Sequence, residues 1–176
     1  MTTRSIYLAG PDVFRPDAAE HGRRLVALCA ELGFAGIFPL EPSLPDLPTP
    51  QDVARHIYQA NIAHIERCDA VLANLDFFRG PEPDSGTCFE VGYAVARGKP
   101  VVGYVPEEGS FAQRIRARHP HAVGGGSLDA AGWHLEEFSL PLNLMLGVPC
   151  SIVVGDARAA LQVLRAQLAA VSASAP

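Results

Sequence analysis

The sequence predicts a doubly wound α/β fold, with a five-stranded parallel sheet and helices on both faces. Three observations lead there. Five short apolar runs recur along the 176 residues, and stretches with helical periodicity alternate with them. No internal repeat and no shift in composition divides the chain, so residues 1–176 read as one domain, long enough to bury a real core.

Ser5–Ala9 is the first strand and stops at Gly10-Pro11. Residues 17–32 place Leu25, Leu28, Cys29 and Leu32 on one helical face, and Gly33 follows as a stop signal. Gly36–Leu40 reads as a second strand. The Pro-rich stretch after it can be neither helix nor central strand. A helix is expected over Gln51–Arg67, a buried strand over Asp69–Leu75 and a loop from Asp76 to Gly86. Thr87–Arg97 should be a helix closed by Gly98, and Pro100–Val105 the next strand. Residues 106–138, rich in Gly, His and Pro, allow one helix at about 110–118. A short helix over Leu140–Leu146 and a last strand, Ser151–Val154, come next. Asp156 then caps a helix with Ala157, Leu161, Leu164 and Leu168 on one face, and residues 171–176 read as a frayed tail. Right-handed crossovers leave few ways to order five such strands, and a flavodoxin-like order fits. Sites in these sheets lie at the carboxyl ends of strands. That rule selects Gly10–Phe14, Asp76–Gly86 and the Pro-rich loop.

Composition removes several functions. With 48% apolar and 19% charged residues, neither disorder nor a fibrous repeat fits. No apolar run reaches the roughly 18–20 residues of a membrane span, and the N-terminus lacks the pattern of a secretory signal. Four dispersed cysteines without a CxxC pair read as reduced thiols of a cytoplasmic protein. The net charge is −5, and Lys99 is the single lysine beside 13 arginines, which argues against a nucleic-acid polymer as partner. Arg23-Arg24 and Arg114–His119 read as solvated helix faces. The six histidines show no ligand spacing, so no metal is expected. No phosphate-cradling GxGxxG or GxxxxGK[ST] loop is present, and Ser85 sits in DSGT instead of a GxSxG elbow.

The informative segment is DSGTCFEVGYAVARGKP, residues 84–100. Glu90 is expected in the first turn of a helix that opens at a strand-end loop, where the helix dipole would keep it ionised. Two readings of it stand side by side. Thr87-x-x-Glu90 matches a capping box, in which Glu90 merely returns a hydrogen bond to the backbone. Alternatively, Glu90 and Asp84 converge at the carboxyl end of a strand, as paired carboxylates do in glycosyl chemistry. Tyr7, on the neighbouring strand, is either a core aromatic or the hydroxyl that orients that carboxylate. Phe14 is either a packing residue or a stacking face for a base.

IYLAGPDVF near the N-terminus, DSGTCFEVGYAVARGKPVVGY in the middle and LPLNLMLG late in the chain together resemble the nucleoside 2-deoxyribosyltransferase family, over residues 6–147. The resemblance implies a flavodoxin-like homo-oligomer that uses no cofactor or metal. It also implies a retaining, two-step exchange of 2-deoxyribose between 2′-deoxynucleosides and free nucleobases. Carried over by position, Glu90 matches the nucleophile, Tyr7 the hydroxyl that holds it, and Asp84 the acid that contacts the sugar 5′-hydroxyl. Asn143, with Met145 beside it, matches an asparagine that reaches a neighbouring subunit's pocket. Asp12, Phe14 and Gly86 fall where base and sugar contacts are expected. Asn61 stands where some members carry an aspartate thought to protonate the leaving base; an amide can hydrogen-bond a base but has no such proton to give, which leaves Asp84 or water as the acid. The alternatives are an N-glycoside hydrolase acting on 2′-deoxynucleosides or their 5′-monophosphates, and a non-catalytic nucleoside-sensing module.

Overall fold

The computed structural model describes residues 3–40 and 45–174. Five strands, β1 (Arg4–Ala9), β2 (Phe34–Ile37), β3 (Ala70–Asn74), β4 (Val101–Val105) and β5 (Ser151–Val154), form one sheet. All pairings are parallel and the order is β2-β1-β3-β4-β5, the flavodoxin-like order expected from the sequence.

Side-chain alternation along the strands builds two cores. Ile6 and Leu8 point to one face, with Leu72, Val102 and the α1 and α6 residues Cys29, Leu161, Leu164 and Leu168. Here α1 is Ala18–Glu31 and α6 is Ala157–Ser174. Tyr7 and Ala9 point to the other face, with Val71, Ala73, Leu75 and residues of α2 (Pro50–Arg67) and α3 (Ser85–Ala96), namely Ile65, Val91 and Ala94. This period of two puts Tyr7 under α3. Thr49 caps α2 by accepting from the Asp52 N–H at 3.1 Å, and Pro50 opens it. At the other end of α2, the Lys99 ammonium donates to the Glu66 and Cys68 carbonyls at 3.0 and 2.5 Å.

Several expectations need correction. The second strand begins two residues and ends three residues earlier than its apolar run suggests. Phe34 pairs in register with Arg4, and Pro39 has no N–H to extend the ladder. The short helix expected over 140–146 is α5, Leu144–Gly147, because Pro141 precedes it and Asn143 caps it. Helix α6 runs to Ser174, and residues 175–176 lie outside the described part.

The expected helix at 110–118 is present as α4, Phe111–Arg118, opened by a Ser110–Gln113 capping box. Its arginines are not simply a solvated face. Arg114 is 1% exposed, donates to the Pro141 carbonyl at 2.8 Å and pairs with Asp76 at 3.4 Å. Arg118 also pairs with Asp76. Arg24, by contrast, lies on the surface and pairs with Asp17 and Glu20, as its solvated reading requires.

Candidate active site

A pocket of about 340 Å³ opens at the carboxyl edge of the sheet. All three loops selected from the sequence contribute: Gly10, Val13 and Phe14 after β1, Pro39 and Leu40 after β2, and Asp84 and Gly86 at the start of α3. Ile57 and Asn61 on α2, with Thr87 and Glu90 on α3, complete the lining. Gly10 lets the first loop close tightly, since a Cβ there would lie 2.9 Å from both Asn74 Cβ and Asp12 Oδ2.

Local geometry decides between the two readings of Glu90. Asp84, not Thr87, is the N-cap of α3: its Oδ2 accepts from the Thr87 N–H and the Thr87 hydroxyl, each at 2.9 Å. The register therefore moves by three residues. Thr87 becomes the third helical residue, and Glu90 falls in the second turn with no capping bond to make. Instead Glu90 Oε1 accepts from the Tyr7 hydroxyl at 2.6 Å and from Asn61 Nδ2 at 3.4 Å. Oε2 accepts no hydrogen bond among the described residues, although Glu90 lines the pocket.

The electrostatics also differ from expectation. A first-turn carboxylate would stay firmly ionised, but Glu90 is pushed up to about 7. Burial is the largest cause and the charge of Asp84 adds to it, while the Tyr7 and Asn61 hydrogen bonds pull the other way. Burial, the Glu90 charge and the hydrogen bond to Glu90 hold the Tyr7 hydroxyl far above the usual tyrosine range, so it stays a donor.

The other predicted site residues divide into two groups. Tyr7, Phe14, Asn61, Asp84, Gly86 and Glu90 come together at the pocket or directly beneath it. Phe14 is 55% exposed and stacks on Phe78. Asp12 does not line the pocket. Its Oδ2 accepts from Asn74 at 2.9 Å and its Oδ1 lies 3.2 Å from His21 Nε2, so it fastens the turn that carries Phe14. Asn143 and Met145 also lie outside the pocket of their own chain. The Asn143 amide donates to Glu136 at 2.7 Å and its oxygen accepts from the Met145 N–H at 2.9 Å, while Met145 is 72% exposed.

Sequence reasoning missed the apolar wall of Val13, Pro39, Leu40 and Ile57, and the anchoring role of Thr87. Ile57 was within reach, because it precedes Asn61 by one helical turn and shares its face. No group of three His, Cys, Asp or Glu among the described residues is arranged to hold a metal ion. No described helix is long and apolar enough to cross a membrane.

A doubly wound sheet that presents two carboxylates and an exposed aromatic ring at one strand-end pocket defines an α/β protein suited to glycosyl chemistry. Residues 6–145 match the nucleoside 2-deoxyribosyltransferase family, and the chain belongs to that family. A solved 2-deoxyribosyltransferase from Leishmania mexicana is similar over 93% of this chain and 97% of its own, at 30% identity and a TM-score of 0.73. A conserved protein of Enterococcus faecalis shares the fold, with 20% identity, a TM-score of 0.61, and coverage of 94% of this chain and 99% of its own. An uncharacterized protein of Schizosaccharomyces pombe is 31% identical over 122 residues, 68% of this chain. That match spans 58% of the yeast protein's length.

Proposed function

We propose that the protein transfers 2-deoxyribose between nucleobases, with Glu90 as the nucleophile. The observation that carries this reading is the division of labour within the Glu90 carboxylate. Oε1 is held by Tyr7 and Asn61, and Oε2 is left without a protein donor at a pocket wall. That oxygen is free to meet a bound substrate.

In the proposed reaction Glu90 Oε2 attacks C1′ of a bound 2′-deoxynucleoside. The C1′–N bond breaks, and its electron pair leaves with the base, which takes a proton from water. An ester joins Glu90 to the sugar. A second base then attacks C1′ with its ring-nitrogen lone pair, releases the carboxylate and gives up its own proton. Two inversions give net retention. Asp84 spends Oδ2 on Thr87, so Oδ1 serves the sugar 5′-hydroxyl, and its charge disfavours a 5′-phosphate. Asn61 orients Glu90 and can hydrogen-bond a base. Phe14 supplies a face on which the base stacks.

The same reading makes the protein a homo-oligomer in which Asn143 serves a neighbour's pocket. Support comes from its position outside its own pocket and from the exposed apolar side chains near it, Met145 and Val148. The test of the whole reading is incubation with 2′-deoxyinosine and adenine. Formation of 2′-deoxyadenosine is expected. Accumulation of free 2-deoxyribose without exchange would replace transfer by hydrolysis, and no turnover would leave a sensing module.

A further inference from the structure

We infer that Arg79 is a positioning residue of the base subsite, setting the orientation of Phe14 through a cation–π contact; this rests on the reading above that Phe14 stacks on the base. Arg79 lies in the loop between β3 and α3, outside the pocket lining. Its guanidinium carbon stands 5.1 Å from the Phe14 ring centroid and 4.6 Å from that of Phe78. The two rings are themselves stacked at 5.5 Å with planes 16° apart, so the three groups close a triangle. Phe14 is its only member in the pocket wall.

Two features set this triangle apart from incidental surface packing. Arg79 has a backbone φ of +57°, in the left-handed region that disfavours a side-chain-bearing residue. The turn around it is closed by the Phe78 N–H donating to the Glu82 carbonyl at 2.9 Å. Moreover, Arg79 has no carboxylate partner among the described residues, unlike Arg114 and Arg118 on the same side of the sheet. The guanidinium is therefore held by aromatic faces in a backbone conformation that glycine would adopt more easily. Strain retained where a smaller residue would relieve it points to a role for the side chain.

The chemistry of that role follows from the contact. Phe14 is half exposed and would be free to rotate without a partner on its outer side. Phe78 and Arg79 restrict it, so less ordering remains to be done when a base arrives. The effect falls on base affinity and not on the bond-making step at Glu90.

Arg79→Gly separates function from folding, because glycine relieves the left-handed backbone while removing the cation. The variant is expected to melt at or above the wild-type temperature and to keep kcat within about twofold. KM for the acceptor base and the dissociation constant of free adenine, measured by calorimetry, should both rise about two- to fivefold, the size an exposed cation–π contact supports. Arg79→Lys keeps a cation and should recover most of that loss. In a Phe14→Leu background, Arg79→Gly should add nothing further. Unchanged adenine affinity in Arg79→Gly would overturn the proposal, as would a fall in kcat together with a lower melting temperature, or an additive effect in the Phe14→Leu background. Adenine binding needs no turnover. A protein that binds adenine in an Arg79-dependent way but transfers no sugar therefore supports this inference while refuting the transfer reaction. A wild-type protein that binds no base overturns both.

Discussion

The Tyr7 hydroxyl meets Glu90 Oε1 at 2.6 Å across 83 positions of sequence, joining the first strand to the helix that follows the third. The bond works against burial, which by itself would hold Glu90 protonated. A buried carboxyl near 7 is ionised over only part of the physiological range, so kcat/KM should rise with pH through about 7 and then level off. Tyr7→Phe removes a donor to the charged form. We expect its acidic limb to move up by about one to two pH units and its activity at pH 7 to fall about 5- to 50-fold, the size of a hydrogen bond to a charged group. A pH–rate profile identical to wild type would detach Tyr7 from Glu90 function.

Glu90→Gln should abolish transfer while stabilising the fold. The folded protein holds this carboxyl above its usual value, so the stability contribution of its protonated form is complete below the unfolded-state value of about 4.3. It is lost as pH rises through about 7. A neutral amide escapes that loss. At pH 8 the variant should be more stable than wild type by on the order of 1–3 kcal/mol, and at pH 5 the gap should narrow. Melting curves at the two pH values check the sign, and base exchange at a near wild-type rate would refute the nucleophile.

Asp84 gives a separable pair of variants because one oxygen caps α3. Asn caps as well as Asp, so Asp84→Asn should keep its melting temperature, whereas Asp84→Ala should lose about 1 kcal/mol. Both should lose at least about tenfold in kcat/KM for 2′-deoxynucleosides, since each removes the charge proposed to face the sugar. If Asp84→Asn retained full activity, the residue would be a cap and nothing more.

Asn143 is tested by mixing. Chains carrying Glu90→Gln and chains carrying Asn143→Ala should each be inactive, yet mixed oligomers contain some sites with both residues intact. Recovery of activity after subunit exchange is expected, approaching about a quarter of the wild-type level for random pairing in a dimer. Exchange demonstrated by mass spectrometry with no recovery would confine Asn143 to its own chain.

The strand order was legible because Ile6, Tyr7, Leu8 and Ala9 alternate between two faces and the crossovers have a fixed hand. The register of α3 was not. Asp84-x-x-Thr87 and Thr87-x-x-Glu90 are overlapping capping patterns, and only the path of the preceding loop selects the first. Burial of Arg114 was hidden for a different reason. Its partners lie 38 and 27 positions away, at Asp76 and Pro141, beyond the reach of any local pattern. The upward shift of Glu90 was hidden in the same way, because it follows from tertiary burial and not from position along a helix.

Lys99, the one lysine of the sequence, holds two carbonyls at the end of α2, on the amino edge of the sheet. The candidate pocket opens on the opposite, carboxyl edge. For attachment to an amine-reactive support, the protein thus offers a single side-chain anchor, facing away from where substrate would enter. Acylating that anchor would also strip the α2 end of its cation, so coupling yield and thermal tolerance should trade against each other on such a support.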